Sequence, residues 1–413
     1  MLRFLKGNWL SITLLVCVIV GGLCGLLFGD AAHAAGPVGE IFLNLIFVLV
    51  VPMVFFSIAS SLCKLKQSGM VGRVFGYIVA VFLAMNIVAA IVAYFSCLVF
   101  NPLAGVDSSA LDVSAAAGPV PEARDVAKAV VSSLTVPDFY QLLSKSNLLP
   151  LIIFAVLFGI ATAASGEKGA KVAAFLESGS EVTMKMMDML MYAAPIGLGC
   201  YFADTIASLG GQILTGYLRT LVLYCVLTAV MFFVVHSAYV LIFRGAEGLK
   251  LFWANILPPS LTSFASASSA AALPANISAA KKAGVSPEIA DAVVPLGVNI
   301  HKDGSVLASV IKVVFLLTLF GHPYTGVGGA LTVIGVAIIS SIVMGAIPSG
   351  GMTGELLTCT LLGLDPTAAG IIIIIGTIVD MPASLMNTSC NNVAAVIVDA
   401  LASRRGKCAA SRR

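Results

Sequence analysis

Long apolar segments constrain this chain more than any other feature. Segments of about 20 apolar residues, enough to cross a bilayer as a helix, lie near 9–29, 39–63, 74–100, 146–166, 183–208, 216–243, 290–320 and 366–402. Only 10% of the residues are charged, too few to cover a water-facing surface. This excludes a soluble enzyme, a disordered chain and a disulfide-rich secreted scaffold. Because the apolar residues form blocks instead of alternating, an outer-membrane barrel is disfavoured. We predict an all-α, multi-pass membrane protein.

Two further apolar stretches, 251–283 and 331–364, are interrupted in the middle. The first contains the Ser/Ala-rich sequence SLTSFASASSAAALP, and the second contains AIPSGGMTGE. Each interruption favours a helix–turn–helix that enters and leaves by the same side, and a kinked ordinary span is the alternative. Lys and Arg are enriched in cytoplasmic loops, and this bias holds along the chain only if both stretches are re-entrant. We therefore predict eight transmembrane helices plus two re-entrant hairpins that form inverted repeats, with both termini cytoplasmic.

Charged residues fall deep inside the last third of the chain. A charge at the centre of a bilayer costs about 2.5–3.5 kcal/mol on insertion scales, so these groups must pair with one another, bind a ligand or contact water. Mutual structural pairing is the alternative to ligand binding, and it is most plausible for Lys312 and Glu355. The charged residues are Lys302, Asp303, Lys312, Glu355 and Asp380.

The last span carries one polar stripe. Its polar residues are spaced at i, i+4, i+7 and i+11, and this spacing places them on one face of an α-helix. The opposite face is Ile, Leu and Val, so the stripe must face protein or a cavity instead of lipid. Pro382 removes one backbone hydrogen bond within this helix. The stripe consists of Asp380, Ser384, Asn387 and Asn391.

The segment PLGVNIHKDGS, residues 295–305, predicts locally unwound backbone, because Gly297 and Gly304 flank His301-Lys302-Asp303. Free carbonyls at such a break can coordinate a cation, and helix N-termini can hold a carboxylate. The hairpin tips, Ser268-Ser269 and Ser349-Gly350-Gly351, offer N–H groups and hydroxyls to the same anion. Paired interrupted segments point to a transporter site. We find no catalytic constellation or metal cluster, and we interpret the nine cysteines as packing residues.

At these residues the chain resembles the glutamate/neutral amino acid transporter family, the dicarboxylate/amino acid:cation symporters. The segments VVPMVFFSIASSL, GRVFGYIVA, NLLPLIIFAVLFGIA and AAPIGLG follow the family order. SASSAAALP resembles the tip of the family's first hairpin, PLGVNIHKDG its PLGxxxNMDG segment, and DMPASLMN its DMxRTxxN segment. The resemblance implies a homotrimer whose hairpin-rich half moves like an elevator. It assigns 1–250 mainly to a scaffold (with the third span contributing to the core), 251–402 to the transport core and 403–413 to a basic cytoplasmic tail.

The resemblance also implies roles for individual residues. Asp380 matches the aspartate that binds the substrate's amino group, and Asn387 matches an asparagine near the substrate carboxylate. The remaining substrate-site positions are Ser268, Ser269, Ser305, Ser349, Gly350, Ala383 and Ser384. The positions implied to bind or couple a cation, Na⁺ or H⁺, are Gly297, His301, Lys302, Asp303, Asn387 and Asn391.

Several positions depart from the family pattern. Ala383 stands where acidic-substrate members place an arginine, so a side-chain carboxylate lacks its bidentate partner. His301, Lys302 and Asn391 replace residues of the family's cation sites, and Met85 and Asn86 replace another such pair. These changes predict coupling to fewer sodium ions, to protons through His301 or Glu355, or to none. The Lys302 ammonium is one candidate to take a sodium position opposite Asp303, and a structural ion pair is the alternative.

We therefore predict a transporter of a small neutral amino acid in the inner (plasma) membrane, without an organic cofactor or a nucleic-acid partner. Two alternatives stay open. One is a dicarboxylate or acidic amino acid substrate, with Lys302 or Lys312 as its anion partner. The other is an uncoupled substrate sensor or channel-like protein on the same fold.

Overall fold

The computed structural model describes residues 9–65, 72–104, 135–144, 147–209, 211–346 and 351–410, and in these ranges it contains helices but no strand. The predicted all-α class is therefore confirmed. Short 3₁₀ turns and one π-helical segment, Met231–Val235, connect the α-helices. The α-helices are α1 Trp9–Phe28, α2 Gly36–Leu65, α3 Gly72–Val99, α4 Leu148–Ala164, α5 Ala170–Met191, α6 Ala194–Leu209, α7 Gly211–Val230, α8 His236–Ser266, α9 Leu273–Lys282, α10 Pro287–Ile300, α11 Asp303–Leu319, α12 Gly326–Ala346, α13 Gly351–Leu361 and α14 Ala369–Ala410.

The described helices are long and apolar enough for a membrane. Five stretches qualify, and a sixth is added if one bent helix pair counts as a single span. Many Leu, Val, Ile and Phe side chains on their outer faces are exposed, as expected for surfaces that contact lipid. The protein is therefore membrane-embedded. The five stretches are Val16–Ser60, Phe75–Val99, Ile213–Ser266, Gly326–Met344 and Pro366–Ser403.

One predicted span is not a single helix. The segment 183–208, which we expected to cross the membrane as one helix, belongs to two helices, α5 and α6, that meet at a bend of 60°. Pro195 is the second residue of α6. Proline has no N–H and its ring clashes with the preceding turn, so it is tolerated at the start of a helix but not in its interior. The proline therefore explains why α5 does not continue straight into α6.

The first predicted hairpin is formed by the second half of α8 and by α9, which contact each other. Gly245 interrupts α8 with a φ of 71°, a left-handed conformation that glycine adopts without a steric penalty. The tip begins at Ala267, which also has a positive φ of 48°. Helix α9 then starts with Pro274 in its first turn. The second predicted hairpin corresponds to α12 and α13, which contact each other, and its tip residues 347–350 lie outside the described residues.

Helix α14 is the centre of the C-terminal half. It contacts α8, α9, α10, α11 and α13, and it also contacts α3 and α7. The first hairpin is hydrogen-bonded along it, because Ser263 Oγ donates to the Ser384 carbonyl at 2.6 Å and Asn276 Nδ2 donates to the Thr388 carbonyl at 2.9 Å. Helices α1, α2, α4, α5 and α6 form a second set of mutual contacts.

The far end of this hairpin is fixed to the C-terminal part of α14 by an ion pair. The Arg244 guanidinium pairs with the Asp399 carboxylate and donates to the Gly284 carbonyl at 3.0 Å. The same carboxylate accepts a hydrogen bond from the backbone N–H of Ser286 at 3.1 Å. Because Ser286 precedes α10, this cluster joins the end of the first hairpin to the helix that leads into the break at 301–302.

Candidate functional site

A cavity of about 500 Å³ lies where the tip of the first hairpin, the α10–α11 break, α13 and α14 meet. Most of the predicted substrate-site residues line it, namely Ser268, Ser269, Ser305, Asp380, Ala383, Ser384 and Asn387. The other two, Ser349 and Gly350, lie outside the described residues. The sequence did not identify the lining residues from the N-terminal half of the chain, Leu14, Met184, Met191 and Leu198. The cavity is therefore bounded by both sets of helices.

The polar stripe of α14 divides between two environments. Asp380 is exposed to the cavity, whereas Ser384 and Asn387 are buried at its wall. Asn387 Oδ1 accepts a hydrogen bond from the Ser305 backbone N–H at 3.3 Å, so this asparagine connects α14 to α11. Asn391, one helical turn further along, is fully buried and lies next to His301 instead of at the cavity.

The predicted unwound segment is present between α10 and α11. His301 has φ −130° and ψ 106°, and Lys302 has φ −139° and ψ 80°, so both are extended. Helix α11 begins at Asp303, and the Gly304 carbonyl accepts a hydrogen bond from the Tyr224 hydroxyl at 2.9 Å. Gly304 allows a close approach of α14, because a Cβ there would lie 2.6 Å from the Ala383 carbonyl oxygen.

Gly297 has a packing role within this region. It lies inside α10, and its carbonyl accepts the backbone N–H of His301 at 2.9 Å. A Cβ at this position would overlap the Asn391 side chain. The glycine therefore allows α10 to pack closely against α14.

Two of the five membrane-buried charges form an ion pair. Lys312 of α11 pairs with Glu355 of α13, and both side chains are buried, with 3% and 2% exposure. Such a pair satisfies both charges without a ligand. Lys312 therefore has a protein partner, which leaves Lys302 as the stronger candidate for an anion partner.

Lys302 differs from Lys312 in its surroundings. Among the described residues, no carboxylate oxygen lies within 4.0 Å of its ammonium. It lines the cavity together with Asp380. The Asp303 carboxylate contacts His301 at 3.2 Å. That Lys302 takes a sodium position opposite Asp303 stays a prediction.

Four of the predicted cation-site residues form a second cluster behind the cavity, namely Gly297, His301, Asp303 and Asn391, whereas Lys302 and Asn387 line the cavity itself. The His301 ring stacks on Phe82 with a centroid distance of 4.4 Å and an interplanar angle of 3°. Its Nδ1 lies 3.0 Å from Asn391 Oδ1 and 3.8 Å from Cys390 Sγ. Cys390 resembles a packing residue in the sequence, and no local pattern predicts its proximity to His301, because 89 residues separate the two.

Known proteins resemble this chain over nearly its whole length. The family model described as the sodium:dicarboxylate symporter family matches residues 10–401. The chain is 26% identical over 400 residues, 94% of each chain, to a protein of Bacillus subtilis (strain 168) named proton/glutamate-aspartate symporter. It is 28% identical over 403 residues, 94% of this chain and 88% of the relative, to a C4-dicarboxylate transport protein of Sphingopyxis alaskensis.

A third relative is the proton/sodium-glutamate symport protein of Bacillus caldotenax, which is 26% identical over 401 residues, 94% of this chain and 92% of the relative. The family match spans both the cavity and the buried cluster behind it. The protein is thus a transporter and not an enzyme, and it belongs to the sodium:dicarboxylate symporter family.

Proposed function

We propose that this protein is a cation-coupled secondary transporter of a small carboxylate substrate, either a C4-dicarboxylate or an acidic amino acid. One observation carries the proposal: the Lys302 ammonium borders the cavity and has no carboxylate within 4.0 Å among the described residues. An ammonium within the membrane that lacks a close partner is costly, and a substrate carboxylate would offset that cost. The names of the relatives, which include dicarboxylate and glutamate-aspartate transport, support the same substrate class.

The position of Lys302 compensates for the small side chain of Ala383. Both residues line the cavity, Ala383 from α14 and Lys302 from the α10–α11 break. The Lys302 ammonium therefore reaches the cavity from the α10–α11 break, whereas the arginine that the family resemblance implies at position 383 would reach it from α14. Lys312 is less suited to this role because Glu355 already neutralises it.

The rest of the cavity offers hydroxyl groups as hydrogen-bond donors and the negatively charged Asp380 carboxylate as an acceptor. Ser268, Ser269 and Ser384 supply hydroxyls that can donate to a substrate carboxylate. Asp380, exposed to the same space, can accept from an amino or hydroxyl group of the substrate. In this assignment Lys302 orients the carboxylate and Asp380 orients the remaining polar group.

A second candidate substrate is a small neutral amino acid. Ala383 offers no charge to a side-chain carboxylate, and Lys302 and Asp380 carry opposite charges on the same cavity. A zwitterion could place its carboxylate towards the lysine and its ammonium towards the aspartate. Succinate, aspartate and alanine distinguish the candidates, because aspartate has the carbon skeleton of succinate with an added amino group and alanine lacks the second carboxylate.

Uptake into proteoliposomes tests these proposals. We expect accumulation of labelled succinate or aspartate against a gradient, with little competition by alanine. Lys302→Met should reduce this uptake at least about tenfold, since a charged hydrogen bond contributes about 1.5–3 kcal/mol. Lys282→Met, a change at an exposed lysine of α9, is the matched control. Preferential uptake of alanine would favour the neutral substrate, and equilibration without accumulation would favour the uncoupled sensor or channel-like alternative.

We further propose that cation coupling is altered. His301 places an imidazole and Asn391 an uncharged amide where the family resemblance predicts oxygen-rich cation sites. Fewer carboxylates lower the affinity for Na⁺, which prefers oxygen ligands. Uptake driven separately by a sodium gradient and by a pH gradient tests this proposal, and strict sodium dependence that a pH gradient leaves unchanged would contradict it.

The molecular arrangement we propose is an elevator-type homotrimer in the cytoplasmic membrane, with both termini on the cytoplasmic side. Residues 1–250 are then mainly scaffold and 251–402 the transport core. The contacts of α3 with α11, α12 and α14 support a contribution of the third span to that core. Helix α14 continues to Ala410, so most of the proposed basic tail, 403–413, extends the last helix. Cross-linking of the purified protein, read as trimers, tests the oligomeric state.

A further inference from the structure

The cluster behind the cavity contains more atoms that can accept a hydrogen bond than hydrogens that can be donated to them. His301 Nδ1 lies 3.0 Å from Asn391 Oδ1, and His301 Nε2 lies 3.2 Å from Asp303 Oδ1. With the Asn391 amide oxygen facing Nδ1, a neutral imidazole, which carries one N–H, can donate to only one of these two oxygens. Cys390 Sγ, with a single hydrogen, lies 3.3 Å from the Asn387 carbonyl and 3.8 Å from His301 Nδ1. A cation among these atoms would satisfy them together.

Burial makes this imbalance costly. His301, Asp303 and Cys390 have no exposed surface. Neither carboxylate oxygen of Asp303 has a hydrogen-bond partner among the described residues, and the same holds for His301 Nε2. An ionised carboxylate in such a place requires a neighbouring positive charge. One ligand atom from each of the three residues can be chosen so that all lie within 4.8 Å of one another.

The distances fit a small tetrahedral metal site. Metal–ligand bonds of about 2.0–2.3 Å imply separations of about 3.3–3.6 Å between the ligand atoms of tetrahedral zinc. The three atoms His301 Nδ1, Cys390 Sγ and Asn391 Oδ1 are 3.0, 3.8 and 3.9 Å apart. Each separation therefore needs a shift of only a few tenths of an ångström.

We propose that His301 Nδ1, Cys390 Sγ and Asn391 Oδ1 bind a borderline divalent metal ion such as Zn²⁺. Thiolate and imidazole ligands select such metals over hard cations, which prefer oxygen alone. The Asp303 carboxylate then accepts the Nε2–H of His301, an arrangement that fixes the tautomer of a metal-bound histidine. The stacked Phe82 ring holds the imidazole plane in place.

This site goes beyond the proposed transport function and is independent of the substrate. Because the cluster is fully buried, we expect the ion to exchange more slowly than one transport cycle. A resident metal there would connect the α10–α11 break to α14. It would also remove one cation position from the coupling stoichiometry.

Metal analysis of the full-length protein in detergent tests the proposal. After metal removal with a chelator, reloading with Zn²⁺ and desalting, elemental mass spectrometry should find about one zinc per chain. Reloading with Co²⁺ should produce the absorption band of a thiolate–cobalt bond, in which Cys390 supplies the thiolate. This measurement is made on the unmodified protein. Cys390→Ser should lower the bound metal at least about tenfold, and Asp303→Asn should weaken metal binding about 10–100-fold.

The matched control is Cys359→Ser, which changes another fully buried cysteine on α13, outside the cluster. It should retain the zinc content and the cobalt band of the unmodified protein. A zinc content near zero together with no cobalt band in the unmodified protein would overturn the proposal. That result would indicate that the Asn391 amide is turned over and donates to His301 Nδ1. Metal content is read without substrate, so failure here leaves the transport proposal untouched.

Discussion

At the scale of single residues, Asp380 is the most testable position in the cavity. It is exposed to the cavity, while its helix neighbours Val379 and Ala383 are buried. We predict that Asp380→Asn lowers substrate uptake at least about tenfold. The amide keeps the size of the side chain but removes the charge, and a hydrogen bond to a charged group contributes about 1.5–3 kcal/mol. Initial uptake rates in proteoliposomes measure the effect.

Asp291→Asn is the control for this change, because Asp291 is an exposed aspartate whose partner is the exposed Lys281. It should leave uptake nearly unchanged, since exposed ion pairs contribute about 0–1 kcal/mol. Normal uptake by Asp380→Asn would remove Asp380 from the site and would require a different group to orient the substrate.

The sequence predicts residues of this kind when a repeating pattern places them together. The spacing of Asp380, Ser384 and Asn387 follows the helical period, so one helix suffices to bring them to one face. The pairing of His301 with Cys390 depends on how two helices pack across 89 residues of sequence. A cysteine in an apolar run is normally a packing residue, and no local signal in the sequence distinguishes Cys390 from the other cysteines.

At the scale of helices, close packing of α10 against α14 depends on Gly297. A Cβ there would overlap Asn391, whereas a Cβ at Gly76 of α3 would meet no atom within 4 Å. We predict that Gly297→Ala destabilises the protein by about 1–3 kcal/mol through overpacking. Gly76→Ala should be neutral or slightly stabilising because alanine has the higher helix propensity. Denaturation in detergent measures both, and equal stability of the two variants would contradict the close packing.

The ion pair between Lys312 of α11 and Glu355 of α13 connects the second hairpin to the core. Removing one partner of a buried pair costs about 3–5 kcal/mol because an unpaired charge stays behind. We therefore predict that Lys312→Met and Glu355→Met each lower the unfolding midpoint strongly. The double variant Lys312→Met/Glu355→Met should recover most of the loss, since it leaves neither charge unpaired. Additive losses in the double variant would contradict mutual pairing.

The sequence predicted the type of most helices but not all of their breaks. The break at 301–302 was predicted because glycines flank charged residues within an apolar segment. The 60° bend between α5 and α6 was missed. The apolar content is continuous across this bend, so hydrophobicity alone does not predict it. Pro195 is the local sequence feature that indicates it. For Lys312 and Glu355 the sequence left two alternatives, mutual pairing and ligand binding. Only the packing of α11 against its neighbours shows that they pair.

At the scale of the whole molecule, the two sets of helices meet near the cavity. Helix α14 contacts α1 and α6, and α13 contacts α2, so the C-terminal half rests on the N-terminal half. Cavity-lining residues come from both sets. If the C-terminal half moves as a body during transport, these contacts must break and re-form in each cycle. If instead only the hairpins move, they stay intact throughout.

A reversible cross-link between the two sets distinguishes these possibilities. Gly370 of α14 packs directly against the Tyr201 side chain of α6. We predict that the double variant Tyr201→Cys/Gly370→Cys, treated with a short bis-methanethiosulfonate that forms a disulfide with each cysteine and releases sulfinate, loses uptake and regains it after reduction. Substrate-induced thermal stabilisation should persist in the cross-linked protein, because binding needs no movement of one half past the other. Each single variant with the same reagent controls for the native cysteines. Full uptake by the cross-linked protein would mean that the α6–α14 contact stays closed during transport, and an elevator movement would then be excluded.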